Sequence, residues 1–346
     1  MPDLAVPAHG QAHPDQRWLN HVRAALDSWA RSPGQRPTSS ILGGGAIAAA
    51  EAAFSERHAD RPALLLPSAT YALRVALQVL GAGPGDEVLC AAVDWPAALA
   101  AITSLGAIPV PVAVDPGTLT VDPGAAAKAR TARTRAVIAC HLHGICADVP
   151  ALRDALPGVG IVEDAAQAFG CALDGRLAGT LGDLAVLSLG PGKQIDAGEG
   201  GVLLCADEAA YAAAVSRTCH PLRQLLQGVR DAAPDAFAVR VHPMTAVLAL
   251  HALAGWPGAP QAGTGATLAS VPGLRLLGDP ARHQNANGLV PVLLDDPGMP
   301  PPEGTRWVPS GAQVLPQVPP ADRVTAADLL LRTRLVAAGP AREGPA

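Results

Sequence analysis

Hydrophobic positions along the chain follow two periods in turn. Short apolar runs at 63–66, 87–91, 108–114, 136–141, 161–163, 184–189 and 201–205 read as buried strands. Between them the spacing is helical: 17–31, with Trp18, Val22, Ala25, Leu26 and Trp29 on one stripe and a stop at Ser32-Pro33-Gly34; then 46–57 after Gly43-Gly44-Gly45; then 69–80, 95–105, 123–130, 149–156, 206–218 and 244–253. Turns fall at 83–86 and 115–117. Regular alternation of strand and helix predicts an α/β fold, a mostly parallel sheet with helices on both faces.

From Asp279 onward the pattern breaks down. Prolines multiply there, and only 289–294 and 326–338 look like ordered elements. The expected organisation is therefore an N-terminal helix or arm over 1–40, a large domain over 41–255, and a shortened C-terminal α+β domain over 256–346 ending in a Pro-rich, partly disordered tail.

Composition narrows the function classes. A chain of 346 residues is long enough for an enzyme subunit with a large core. Its net charge of −5, without any basic run, argues against a nucleic-acid partner. Hydrophobic residues make up 49%, largely alanine, and no apolar stretch is long enough to cross a bilayer. No basic segment followed by an apolar run opens the chain, so the expectation is a cytoplasmic protein without a secretory signal. The six cysteines are widely spaced and read as buried, reduced thiols. His141 and His143 near Cys146 suggest zinc only superficially: strand alternation would turn both histidines to one face and supply no third or fourth ligand.

The basic residues carry the most specific signal. Of 25 lysines and arginines only Lys128 and Lys193 are lysines, and Lys193 sits in the glycine-flanked loop Ser188-Leu189-Gly190-Pro191-Gly192-Lys193. Arginine can supply surface charge anywhere but cannot form a Schiff base, whereas a lysine of lowered pKa can. Upstream, Asp164 and Gln167 in Val162-Glu163-Asp164-Ala165-Ala166-Gln167 fall at the end of an apolar strand, where open α/β sheets bind ligands. A carboxylate there suits a pyridine nitrogen. Pro67-Ser68-Ala69-Thr70 joins a strand to a helix N-terminus, an arrangement that favours anions but also suits plain helix capping.

The runs VEDAAQAFG at 162–170 and SLGPGKQIDAGEGG at 188–201 resemble the DegT/StrS-type family of aminotransferases that use pyridoxal 5'-phosphate and act largely on keto sugars. The resemblance extends over about 42–253 and implies the type I aminotransferase fold. It implies Lys193 as the Schiff-base and acid/base lysine, Asp164 at the pyridine nitrogen, Gln167 near the phenolic oxygen, and Trp95 stacked on the ring. It also implies Ser68, Ala69, Thr70 and Ser188 around the phosphate, with Ala69 where the family has glycine. An amino donor (glutamate), a keto acceptor on a nucleotide-linked sugar or cyclitol, and a homodimer follow from the same likeness.

Departures stand beside the matches. Ala238 replaces an asparagine that in the family reaches the neighbouring subunit's phosphate, Leu189 replaces an aromatic, and Ala197 replaces a threonine. Two readings therefore remain: a working aminotransferase, or a relative doing other chemistry on an amine; and a catalytically retired homologue that serves as partner or regulator. Retention of Lys193 in so lysine-poor a chain favours the first.

Overall fold

The computed structural model describes residues 16–31, 41–229, 238–258, 270–286, 289–302, 305–308, 310–318 and 320–338. The stop at 32–34, residues Ala236 and Phe237, and the final segment 339–346 lie outside them.

Helix α1 (Gln16–Ala30) precedes α2 (Ala46–Arg57), β1 (Ala63–Leu66), α3 (Ala69–Val79), β2 (Glu87–Ala91) and the two-residue β3 (Val93–Asp94). Next come α4 (Pro96–Thr103), β4 (Ile108–Val112), α5 (Pro123–Ala129), β5 (Thr134–Cys140), α6 (Val149–Ala155) and β6 (Gly160–Asp164). A small hairpin of β7 (Ala172–Leu173) and β8 (Arg176–Leu177) leads to β9 (Leu184–Ser188), β10 (Gly201–Cys205), α7 (Glu208–Thr218), α8 (Pro221–Leu226) and α9 (Pro243–Gly255).

Seven strands form the main sheet in the order β1-β10-β9-β6-β5-β2-β4. All neighbouring pairs from β9 through to β4 are parallel, and β10 alone runs against its neighbours β1 and β9. Successive residues on one strand enter different cores: Leu65, Leu89, Val137 and Ile161 pack with α2, α5, α6 and α9, whereas Leu64, Val88, Ile138 and Val162 pack with α3, α4 and α7. Both faces of the sheet are thus covered, which is why its strands read as continuous apolar runs. β4 is the exception, with an edge burial pattern in which Ile108 is exposed. Its pairing ends at Val112, short of the expected 114.

The C-terminal region is more ordered than its prolines suggest. It contains β11 (Leu274–Leu276), β12 (His283–Gln284), β13 (Val290–Leu294), β14 (Thr305–Val308), β15 (Gln313–Val314), α10 (Pro320–Arg332) and β16 (Thr333–Ala338). The expected single element over 326–338 is in fact the end of a helix followed by a strand. Antiparallel pairing in the order β11-β13-β16-β14 makes a four-stranded sheet. Prolines fit where no N–H is required: Pro320 lies in the first helical turn, and Pro291 in β13 still accepts a hydrogen bond from Leu277 N–H through its carbonyl. This region pairs with segments flanking the main sheet at two places, in small separate sheets where β12 joins β7 and β15 joins β3.

Candidate active site

Every residue the sequence offers for the cofactor lies at the carboxyl edge of the main sheet. Ser68, Ala69 and Thr70 follow β1, Trp95 follows β3, Asp164 ends β6 with Gln167 just beyond, Ser188 ends β9, and Lys193 lies in the loop from β9 to β10. Parallel strands deliver their last residues to this edge together, so residues far apart in sequence converge.

Gly201, the first residue of β10, organises one corner of it. It is the register partner of both Leu66 and Ser188, which brings the start of α3 and the end of β9 to either side of it. Ser68 is the N-cap of α3 and accepts from Tyr71 N–H at 3.1 Å. A Cβ on Gly201 would come within 2.5 Å of the Ser68 carbonyl carbon and 2.6 Å of Ala69 N. The backbone of the candidate anion loop is therefore seated directly on a hydrogen. Gly201→Ala is expected to displace residues 68–70, cost about 1–3 kcal/mol by overpacking, and weaken pyridoxal phosphate binding by about 10–100-fold. A melting curve and a cofactor titration check it; wild-type affinity in the variant would dissociate this loop from cofactor binding.

The lysine loop is closed by its own backbone and by Asp196. Leu189 N–H donates to Gly200 O, and Ala197 N–H to Leu189 O, each at 2.9 Å. The two Asp196 carboxylate oxygens accept from Gly192 N–H at 2.9 Å and Gly198 N–H at 2.8 Å. Leu189 and Ala197, both departures from the family pattern, are buried in the core on either side of this closure. Lys193 Nζ is left half-buried, 5.9 Å from the centroid of the Trp95 ring. Trp95 itself is 42% exposed, an unusual amount for a tryptophan that merely packs a helix start.

Electrostatics join these groups. Burial pushes the Lys193 ammonium below its ordinary value, while Asp164 and then Cys140 hold it up. Burial pushes Asp164 above the usual carboxylate range, opposed by the Ala166 N–H it accepts and by the Lys193 charge. An opposite charge beside such a carboxylate favours its ionised form. A lysine with a lowered pKa facing a buried aspartate is an arrangement typical of reactive rather than structural sites.

The sequence reading missed several neighbours. Gln167 Oε1 accepts from His143 N–H at 2.9 Å, and the His143 ring meets Ser310 Oγ at 3.1 Å. Ser310 and Gly311 belong to the C-terminal region, and a Cβ on Gly311 would sit 2.3 Å from the Trp95 ring. Two consecutive residues thus touch, directly or through His143, two of the candidate site residues. His143 lies in a 3-10 turn with φ 57°, so strand alternation stops at β5 and the two histidines do not share a face, contrary to expectation. His141 Nδ1 accepts from Ala147 N–H at 2.9 Å, so the ring hydrogen sits on Nε2 and is donated to Glu163 at 2.8 Å. Asp94 is buried in β3, and Trp95 takes the cap position of α4.

Solved structures share this fold. DesV of S. venezuelae superposes with a TM-score of 0.71 at 27% identity, over 95% of this chain and 92% of that one. A 3-amino-5-hydroxybenzoic acid synthase does so with a TM-score of 0.70 at 25% identity, over 94% and 91%. Among curated sequences, the 3-amino-5-hydroxybenzoate synthase of Amycolatopsis mediterranei is 39% identical over 168 residues, 48% of this chain and 43% of that protein. The L-glutamine:2-deoxy-scyllo-inosose aminotransferase of Streptomyces kanamyceticus is 33% identical over 242 residues, 68% of this chain and 55% of that protein. The matched part spans about half the length of these curated relatives. The model of the DegT/DnrJ/EryC1/StrS aminotransferase family matches residues 36–255, the whole carboxyl-edge constellation included, and the chain belongs to that family.

Proposed function

We propose that this chain is a pyridoxal-phosphate-dependent aminotransferase that moves an amino group from an amino acid to a ketone on a cyclitol or keto sugar, in biosynthesis of an antibiotic or related secondary metabolite. The observation that carries the reading is Lys193, half-buried, facing Trp95 at 5.9 Å and electrostatically tied to Asp164. Glutamate is the donor expected from the sequence, whereas several relatives are L-glutamine-dependent aminotransferases by name. Both are α-amino acids and need the same proton chemistry at the α-carbon.

The residues present fit the cofactor. The hydrogen-sized gap at Gly201 lets Ser68–Thr70 and Ser188 approach one phosphate, and the exposed face of Trp95 offers a stacking surface beside the lysine. When bound, pyridoxal phosphate supplies an electron sink for the carbanion formed at the amino-bearing carbon. Asp164 keeps the pyridine nitrogen protonated, since a buried carboxylate stabilises the adjacent cation. Gln167, whose Oε1 accepts from the His143 N–H, would lie near the phenolic oxygen. Lys193 would hold the cofactor through its Nζ and would serve as the base and acid at the substrate α-carbon; its desolvation makes the free amine accessible nearer neutrality.

The reading includes a homodimer, supported by Leu222, Leu225 and Leu226 of α8, which are 51%, 73% and 69% exposed. It includes a cytoplasmic location, supported by six cysteines that are all free and buried. No helix among the described residues is long and apolar enough to cross a membrane. A division near residue 255 is kept as part of the proposal, because α9 ends at Gly255 and the four-stranded sheet follows. A cavity of about 590 Å³ in the C-terminal region, bordered by Trp307, Ser310, Gly311, Val314, Leu330 and Arg334, adjoins Trp95 only through Gly311, and none of the candidate cofactor residues lines it.

The test is optical. Protein loaded with pyridoxal phosphate should lose its visible band when glutamine or glutamate is added and regain it with a keto acid. A band that no amine alters would remove the enzyme reading and leave the retired homologue.

A further inference from the structure

Asp94 takes no part in the chemistry described so far, yet it is the most conspicuous polar group near it. It is 0% exposed, and Oδ1 accepts from Trp95 N–H at 2.7 Å. Among the described residues, Oδ2 has no hydrogen-bond partner of its own, and the Cys140 thiol is the one side chain that hydrogen-bonds the carboxyl, an interaction that favours its ionised form. A buried carboxyl with one unpaired oxygen is costly as an anion unless a proton or a cation compensates it.

Its surroundings identify the compensation. Cys90 of β2 and Cys140 and Asp164 at the ends of β5 and β6 are the ionisable groups that act on it, with Lys193 acting in turn on Asp164 and Cys140. Cys140 and Asp164 are register partners, and β5 also pairs with β2, which runs on into Asp94. Asp94, Cys140 and Asp164 therefore stand in a row across the carboxyl edge, with Asp94 adjoining Trp95. From the C-terminal region, β15 covers Asp94 with Gln313 and Val314 and brings no charge. Burial pushes both thiols up, so they stay protonated and Asp164 is the one anionic neighbour.

We propose that Asp94 is a second carboxyl of the ring-binding site, one that stores a proton beside Asp164 and, by releasing it, strengthens the hold of the site on the proton of the lysine–cofactor linkage. The proposal rests on the cofactor reading above. Burial first, and the Asp164 charge second, raise the Asp94 carboxyl to about 7. Below that pH one negative charge faces the ring and lysine; above it there are two. A second negative charge favours every cationic form nearby, so the linkage keeps its proton to higher pH.

Asp94→Asn is close to isosteric, retains an acceptor for Trp95 N–H and cannot ionise. Spectra of the cofactor-loaded protein recorded from about pH 5 to pH 10 should show the variant's visible band titrating about one pH unit lower than wild type, as a single-proton transition where wild type is broadened by coupling. Asp94→Ser should shift the same way, and decides the matter by the same midpoint if the asparagine variant does not load. A midpoint unchanged in loaded variants, with or without weaker cofactor binding, reduces Asp94 to a structural residue and overturns the proposal alone. A wild-type protein that forms no borohydride-fixable band overturns the cofactor reading and Asp94's role with it.

Discussion

Replacing Lys193 with alanine should abolish the yellow band of the cofactor-loaded protein and lower transamination by at least about 10⁴-fold. That figure is the upper end of what a positioned acid/base group contributes, and here the same amine is also the covalent anchor. Lys193→Arg should fare no better: the guanidinium keeps its positive charge near Asp164 but neither forms the linkage nor gives up a proton. The comparison separates charge from nucleophilicity, which a single alanine variant does not. The measurement is a spectrum before and after borohydride, with wild type fixed irreversibly and both variants unfixed. An equal, fixable band in Lys193→Ala would transfer the role to Lys128, which lies on α5 in the last turn, away from the carboxyl edge.

The loop's architecture explains why this effect should be local. Its base is held by the Leu189–Gly200 and Ala197–Leu189 hydrogen bonds, and its tip by Asp196, none of which involves the lysine side chain. The variant should therefore melt within about 0.5 kcal/mol of wild type, as expected for a half-exposed residue outside the core. Loss of activity without loss of stability places the residue in the chemistry.

What could be read in advance divides along physical lines. Strands of the main sheet were legible because both faces are covered, so their residues are apolar without interruption; β4, on an edge, was overrun for the same reason. Asp164, Ser188 and Lys193 were legible as motif residues on contiguous stretches. Asp94 was not, because an aspartate before Trp-Pro reads locally as a helix cap, and only pairing of β3 with the distant β15 buries it. His143 was misplaced because alternation presumes a strand that has already ended at Cys140. Ser310 and Gly311 lie in a proline-rich stretch with no periodicity, and their contacts to His143 and Trp95 are tertiary only.

Glu163→Ala should be the most destabilising single change near the site. Glu163 is 0% exposed and accepts four hydrogen bonds, from His141 Nε2 at 2.8 Å, Gly179 N at 2.9 Å, Leu181 N at 2.7 Å and Gly182 N at 2.6 Å. Truncation would leave three backbone donors and an imidazole N–H buried without acceptors, and such losses run to about 3–5 kcal/mol when a buried charged group is removed. That is a large share of a total stability of about 5–15 kcal/mol, and should lower the melting temperature by roughly 10 °C. The pH dependence has a definite sign. Burial alone would raise the Glu163 carboxyl, but the hydrogen bonds from His141 and the loop N–H groups outweigh it and leave it below its ordinary value of 4.5. A carboxylate depressed on folding stabilises above the unfolded value, and that contribution is lost as pH falls from about 4.5 through the folded value. Wild type should therefore lose melting temperature steeply below about pH 4.5, and Glu163→Ala should be already low and flatter there. Since Asp164 is the next residue on β6, a variant that melts early should also bind cofactor weakly. Melting within about 2 °C of wild type at pH 7 would mean that the 179–182 loop holds without Glu163, and that Asp164 is positioned by the β5–β6–β9 ladder alone.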